Sequence, residues 1–206
     1  GFMVPIIICF LLTDFAIIIE RHFALRTAFG KTSLVKFVDG IKKALAANDL
    51  AKAQALCDQQ RGSVANVVSA TLKKYKEMEE NTVLSKEQKV LAIQKELEES
   101  TALEMPTLQQ NLPILATLTT LGTLSGLFGT VMGMIKSFAS LAGEGGTDSA
   151  MLSVGISEAL VNTAAGIATA AFALIGYNFY TNKIDKLTFS LDEVGFTIVQ
   201  TFSATH

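Results

Sequence analysis

Residues 112–138 read LPILATLTTLGTLSGLFGTVMGMIKSF, and no charged side chain occurs between Glu104 and Lys136. Such a run exceeds the roughly 20 residues that a helix needs to cross the hydrocarbon core of a bilayer. Downstream, residues 152–180 carry one charge, Glu158, within a stretch bounded by Asp148 and Lys183. Upstream, Phe2 to Ile19 is apolar apart from Pro5 and Asp14, and it ends at Glu20-Arg21-His22. This pattern predicts an all-α integral membrane protein with three transmembrane helices, the second and third extended into a cytoplasmic helical region. The predicted segments are span one at 1–20, a helical region at 21–107, span two at 108–138, a periplasmic loop at 139–151, span three at 152–182 and a C-terminal helix at 183–206.

Composition agrees. Half of the 206 residues are apolar and 17% are charged, with a mean hydropathy of +0.40; soluble domains carry about a quarter charged residues. A net charge of −2 and the absence of Trp give no purchase for nucleic acid. Cys9, Cys57, His22 and His206 have no metal-ligand spacing, so no metal or cofactor is expected and both cysteines read as packing residues. There is no GxxxxGK[ST] motif and no nucleophile beside a plausible base, which argues against an enzyme. Gly143, Gly145 and Gly146 read as part of a short external loop. The chain begins at Gly1, and an upstream segment is expected to precede it.

Orientation follows from the cations. Of 17 Lys and Arg residues, 16 lie in 21–95 or after residue 182, while 139–151 holds Glu144 and Asp148 and no cation. The positive-inside rule places that connection and the N-terminus in the periplasm and the C-terminus in the cytoplasm. Lys136, at the outer end of span two, is expected to snorkel to the headgroups.

In the helical region, Leu34, Phe37, Val38, Ile41 and Leu45 mark one buried face. Asn48-Asp49 starts a second helix that ends at Arg61-Gly62. Val64, Val67, Val68, Leu72 and Tyr75 form another stripe, and Ser85 with Gln88 forms a capping-box pattern ahead of Val90, Ile93 and Leu97. Pro106 and Pro113 are expected to mark a kink or short break at the membrane. Leu187, Phe189, Leu191, Val194, Ile198 and Phe202 suggest a final amphipathic helix, covered by the helix before span two or by a neighbouring subunit.

Span two carries Thr119, Thr123, Gly126, Thr130 and Gly133 on one face, with the pairs Gly122/Gly126 and Gly129/Gly133 spaced for close helix approach. This face suits tight packing, with hydroxyls bonded to their own helix, and it equally suits a wet lining. On span three, Glu158, Asn162, Ala165-Gly166 and Thr169 share a side, and Thr163 lies next to it. A carboxylate near mid-bilayer costs about 2.5–3.5 kcal/mol on insertion scales, so Glu158 is expected to face a wet or protein-lined interior. Thr130 and Thr163 lie about 12 and 16 Å from the outer ends of their spans at 1.5 Å per residue, similar depths for two antiparallel helices. Together with Glu158 they outline a proton route. Asp14 reads as a structural acid that reaches the interface or bonds a neighbour.

These residues carry a resemblance. Gly126-Leu127-Phe128-Gly129-Thr130-Val131-Met132-Gly133-Met134 resembles the GLxGTVxGM signature of the MotA/TolQ/ExbB proton-channel family, closest to its ExbB-like members. Gly155 to Gly166, GISEALVNTAAG, resembles the second signature, GIxEALxxTxxG, and Tyr177-Asn178 matches the YN that closes the third span. Where many relatives have Pro before the first signature, this chain has Gly122-Thr123-Leu124. The resemblance implies a homo-oligomer, a pentamer, packed through Gly122, Gly126, Gly129, Gly133 and Gly166. It implies an ExbD- or TolR-like single-span partner in the pore, with an essential Asp that the proton visits. It further implies a proton route along Thr130, Thr163 and Glu158 and a TonB- or TolA-like protein that receives the force. MotA relatives have a fourth span, which is missing here. The expected function is proton conduction in a bacterial inner-membrane motor that energises TonB-dependent import. A TolQ-like or gliding-type stator and a non-conducting membrane scaffold are the alternatives.

Overall fold

The computed structural model describes residues 2–141 and 149–205, all helices and short turns among those residues. The loop positions Gly143, Glu144, Gly145, Gly146 and Asp148, and the terminal Gly1 and His206, lie outside the described residues. Seven helices follow one another: α1 (Met3–Phe29), α2 (Leu34–Ala46), α3 (Leu50–Gln60), α4 (Ser63–Glu80), α5 (Lys86–Gln109), α6 (Leu112–Leu141) and α7 (Ser149–Thr205). Three helical stretches are long and apolar enough to cross a membrane, beginning at Met3, Lys86 and Ala150. At 57 residues, α7 far exceeds the roughly 20 that one crossing requires.

The chain divides into two compact units. One comprises residues 1–21 and 111–181, and the other 22–110 and 182–206. In the first, α1 packs on α7: Phe15 meets Phe172 with ring centroids 5.6 Å apart, and the Tyr180 hydroxyl donates to the Ile18 carbonyl at 2.7 Å. Asn111 donates to Glu20 at 3.2 Å, and Glu20 also pairs with the buried Arg21. The outward faces are apolar, with Leu12, Leu127, Phe128, Ile135, Leu160 and Ile175 among the exposed residues. A continuous apolar surface of this kind is what lipid or neighbouring helices require.

In the second unit, α2 buries Phe37, Val38, Ile41 and Leu45, and α4 buries Val64, Val67, Val68, Leu72 and Tyr75, the faces expected from spacing. Asn48 has a positive φ of 54°, and Asp49 caps α3 by accepting from the Lys52 amide at 2.9 Å. The capping box is present, with Ser85 and Gln88 bonded reciprocally. Gly62, at φ 87°, ends the α3–α4 turn where a side chain would run into the Thr27 and Ala28 carbonyls. The C-terminal part of α7 is covered within the unit. Tyr75 of α4 meets Phe202 edge to face, 4.9 Å between centroids, and α5 contributes Met105, which lies 3.6 Å from the Thr188 hydroxyl.

Two expectations are corrected. Phe189 is not on the buried face: it is 70% exposed, while Leu187, Leu191, Val194, Ile198 and Phe202 are buried. Those five repeat at helical spacing, and a residue two after Leu187 points roughly 200° away. The break before span two is at Gln110-Asn111 and not at a proline: α5 continues through Pro106 to Gln109, and Asn111 takes a positive φ of 64°. Pro113 then falls in the first turn of α6, where its missing N–H removes no helical bond.

Candidate functional site

The intramembrane residues singled out above lie on α6 and α7, which pack as an antiparallel pair. Small residues permit this. At Gly133 an added Cβ would sit 2.8 Å from the Ala159 Cβ, and at Gly126 it would sit 3.1 Å from both the Asn162 carbonyl oxygen and the Gly166 Cα. At Gly122 it would meet the Ala170 amide nitrogen and the Gly166 carbonyl at 3.1 Å, and at Gly129 the Asn162 side chain at 2.6–2.8 Å. The two backbones therefore touch along most of the seam, at separations that only glycine allows.

The hydroxyls sit on this frame. Thr130 and Thr163 contact each other through their Oγ1 atoms. Thr130 also donates to its own helix at the Gly126 carbonyl, 3.1 Å, and Thr163 lies 3.5 Å from that same oxygen. Both are half-buried. Thr119 and Thr123 bond only the preceding turn among the contacts described, to Leu115 at 3.0 Å and Thr119 at 3.2 Å. Thr169 does likewise with Ala165 at 2.9 Å.

Glu158 is placed differently. It lies about 140° around α7 from Thr163 at 3.6 residues per turn, and the buried Gly155, Ala159, Asn162 and Gly166 lie between them. The threonine pair thus occupies one flank of the seam and Glu158 the other. Within one chain the structure brings Thr130 and Thr163 together and does not bring Glu158 to them. Glu158 instead faces Lys136, with Nζ 3.7 Å from Oε1 and side-chain exposures of 53% for the lysine and 23% for the glutamate. Lys136, expected to snorkel away, therefore has an acidic partner. The sequence held a signal for this, since Lys136 and Glu158 each lie eleven residues from residue 147. A tight antiparallel hairpin brings such positions to one level.

Two polar groups are less well satisfied. Asn162 is 1% exposed and its Oδ1 has no hydrogen-bond partner. Asp14 on α1 is fully buried, and neither carboxyl oxygen has a partner among the described residues. It does not reach an aqueous interface, as the sequence reading had allowed. Its face is set by Met3, Ile7, Ile17 and Arg21, all buried at helical spacing on the side of α1 turned inward.

Among the described residues, no cluster of three or more His, Cys, Asp or Glu could hold a metal ion. What the arrangement offers is a row of hydroxyls and one ion pair at the two edges of a close helix seam.

Comparison with known proteins assigns this architecture. Residues 60–193 match the MotA/TolQ/ExbB proton channel family, about two-thirds of the chain. The chain belongs to that family. Its members are proton channels and not enzymes. The Tol-Pal system protein TolQ of Pseudomonas aeruginosa is 26% identical over 175 residues, 85% of this chain and 75% of that protein. The biopolymer transport protein ExbB of Salmonella typhimurium is 38% identical over 80 residues, 39% of this chain and 33% of that protein. ExbB of Helicobacter pylori is 40% identical over 81 residues, 39% of this chain and 56% of that protein. Except for the Pseudomonas TolQ, these matches cover less than two-thirds of the relatives' own length, and the match to TolQ of Haemophilus influenzae spans 37% of that protein.

Proposed function

We propose that this family member is the proton-conducting subunit of an ExbB-like inner-membrane motor. In this reading five copies surround an ExbD-like single-span partner. The N-terminus and the α6–α7 connection are periplasmic and the C-terminus is cytoplasmic. Proton flow is converted into work on a TonB-like protein that energises outer-membrane import. A proton crossing 100 mV releases about 2.3 kcal/mol, which the motor spends on that work.

The observation that carries the reading is the Thr130–Thr163 hydroxyl pair, half-buried at the flank of the seam and inside the matched region. A hydroxyl both donates and accepts, so two in contact form a relay that a carboxyl on a partner helix can enter. Glu158, on the other flank with Lys136, supplies charge for proton entry or for a neighbouring copy. A TolQ-like stator working with TolR- and TolA-like partners is the second reading. The long alignment to the Pseudomonas TolQ favours it.

The test is transport by the complex co-expressed with its partner. Thr130→Val and Thr163→Val should each lower partner-dependent growth on siderophore-bound iron at least tenfold while the oligomer still purifies. Unchanged growth for both, and for Glu158→Gln, would support a non-conducting scaffold and overturn the proposal.

A further inference from the structure

Beyond the helix seam, a cavity of 390 Å³ opens in the second unit, lined by His22, Leu25, Arg26, Phe29, Gly30, Lys183 and Lys186. Its size falls within the range of small-ligand sites. Two features make its chemistry specific. Arg26, Lys183 and Lys186 are permanent cations that converge from α1 and α7, His22 can add a further charge, and no acidic residue is among the lining residues. Leu25, 2% exposed, and the half-buried Phe29 give it an apolar wall. A cavity that is cationic on one side and apolar on another suits an amphiphile with an anionic head.

Position narrows the ligand. His22 follows the last residue of the first unit's α1 segment, and Lys183 comes two residues after the end of its α7 segment. Both cationic sets therefore begin where the apolar spans stop, at headgroup level. Lysine and arginine at that level attract anionic lipid, and Arg in particular binds phosphate oxygens bidentately. Gly30, at φ 81°, closes α1 at the cavity wall, so the α1 contributions all come from its last two turns. We propose that this cavity binds the phosphate headgroup of an anionic phospholipid, with the acyl chains leaving along the apolar wall into the bilayer.

The full chain, purified with its partner and stripped of lipid in detergent, tests this by native mass spectrometry. Dioleoylphosphatidylglycerol, dioleoylphosphatidylcholine and inorganic phosphate are the probes. Phosphatidylglycerol should bind at least tenfold more tightly than phosphatidylcholine. Arg26→Gln with Lys186→Gln should lose about tenfold or more, at roughly fivefold per cation. Lys52→Gln with Lys73→Gln removes the same charge elsewhere and should change nothing. Equal binding of the two lipids, or equal losses from both variant pairs, would overturn the proposal by reducing the effect to general surface charge. Displacement of the lipid by inorganic phosphate at comparable concentration would overturn it in favour of a free-anion site. If the Arg26/Lys186 variant does not fold by circular dichroism, Lys183→Gln alone provides the same comparison, with a loss of about fivefold expected.

Discussion

A carboxyl group with no partner is the least expected side chain in this protein. Asp14 is fully buried with both oxygens unbonded among the described residues, and desolvation of such a group costs about 1–3 kcal/mol or more when it stays unsatisfied. Replacing it with an apolar residue removes that cost. Asp14→Leu should therefore raise the thermal stability of the detergent-solubilised protein by an amount equivalent to about 1–3 kcal/mol, read from its unfolding transition. A fall in stability would mean that the carboxyl has a partner in the assembled complex. Cys57 presents the opposite chemistry outside the membrane. Burial, and then the charge of Asp58, push its thiol up to about 12 from an ordinary value of 9.0. The folded state holds this proton more tightly than the unfolded state, so the group's contribution to stability is intact below pH 9 and is lost as pH rises from about 9 towards 12. At pH 8 the thiolate is scarce, and iodoacetamide should alkylate Cys57 only after denaturation, as counted by mass spectrometry. Rapid labelling of the folded protein at that pH would contradict the burial.

At the scale of elements, the α6–α7 seam is where sequence and packing agree most closely. A Cβ at Gly133 would lie 2.8 Å from the Ala159 Cβ and 2.9 Å from the Gly155 carbonyl, separations that neither backbone can relieve without moving apart. Gly133→Leu should abolish recovery of the folded oligomer in detergent. Gly122→Ala, whose added methyl meets atoms at 3.1 Å, should reduce recovery without abolishing it. Size-exclusion chromatography of matched membrane preparations reads both, and equal recovery of Gly133→Leu and the parent would separate the seam from assembly. Much of this level was legible beforehand. The buried stripe of α2, the Asp49 start of α3 and the Ser85–Gln88 box are local patterns, each fixed within a few residues. Phe189 misled because apolar character alone does not fix phase: only angular position relative to Leu187 and Leu191 reveals that it points outward. The helix break misled for a related reason. Proline is the strongest local breaker, yet Asn111, which tolerates a positive φ, ends α5 in its place. Lys136–Glu158 and the isolation of Asp14 depend on which helices meet, information that no short window of sequence contains.

At the scale of the whole molecule, the argument turns on charge. The first unit carries few charges and an apolar exterior, whereas 16 of the 17 Lys and Arg residues fall in 21–95 or after residue 182. Arg21, the one member of that set inside the first unit, is buried against Glu20 at its edge. Moving Lys or Arg through a bilayer centre costs about 2.5–3.5 kcal/mol per residue on insertion scales, so the side retaining so many cations during insertion is the cytoplasmic one. The connection between α6 and α7 is then periplasmic, and this orientation is directly testable with single cysteines. Cys9 is replaced by Ser, and Cys57 is left in place because its burial keeps it silent. A cysteine at Ala150, exposed at the start of α7, should react with a membrane-impermeant maleimide in cells whose outer membrane alone is permeable. A cysteine at Lys43, exposed on α2, should react only after the inner membrane is opened. The reverse pattern would invert the protein. It would also direct proton flow from the Thr130 side in the opposite sense, which a motor driven by an inward proton gradient could not use.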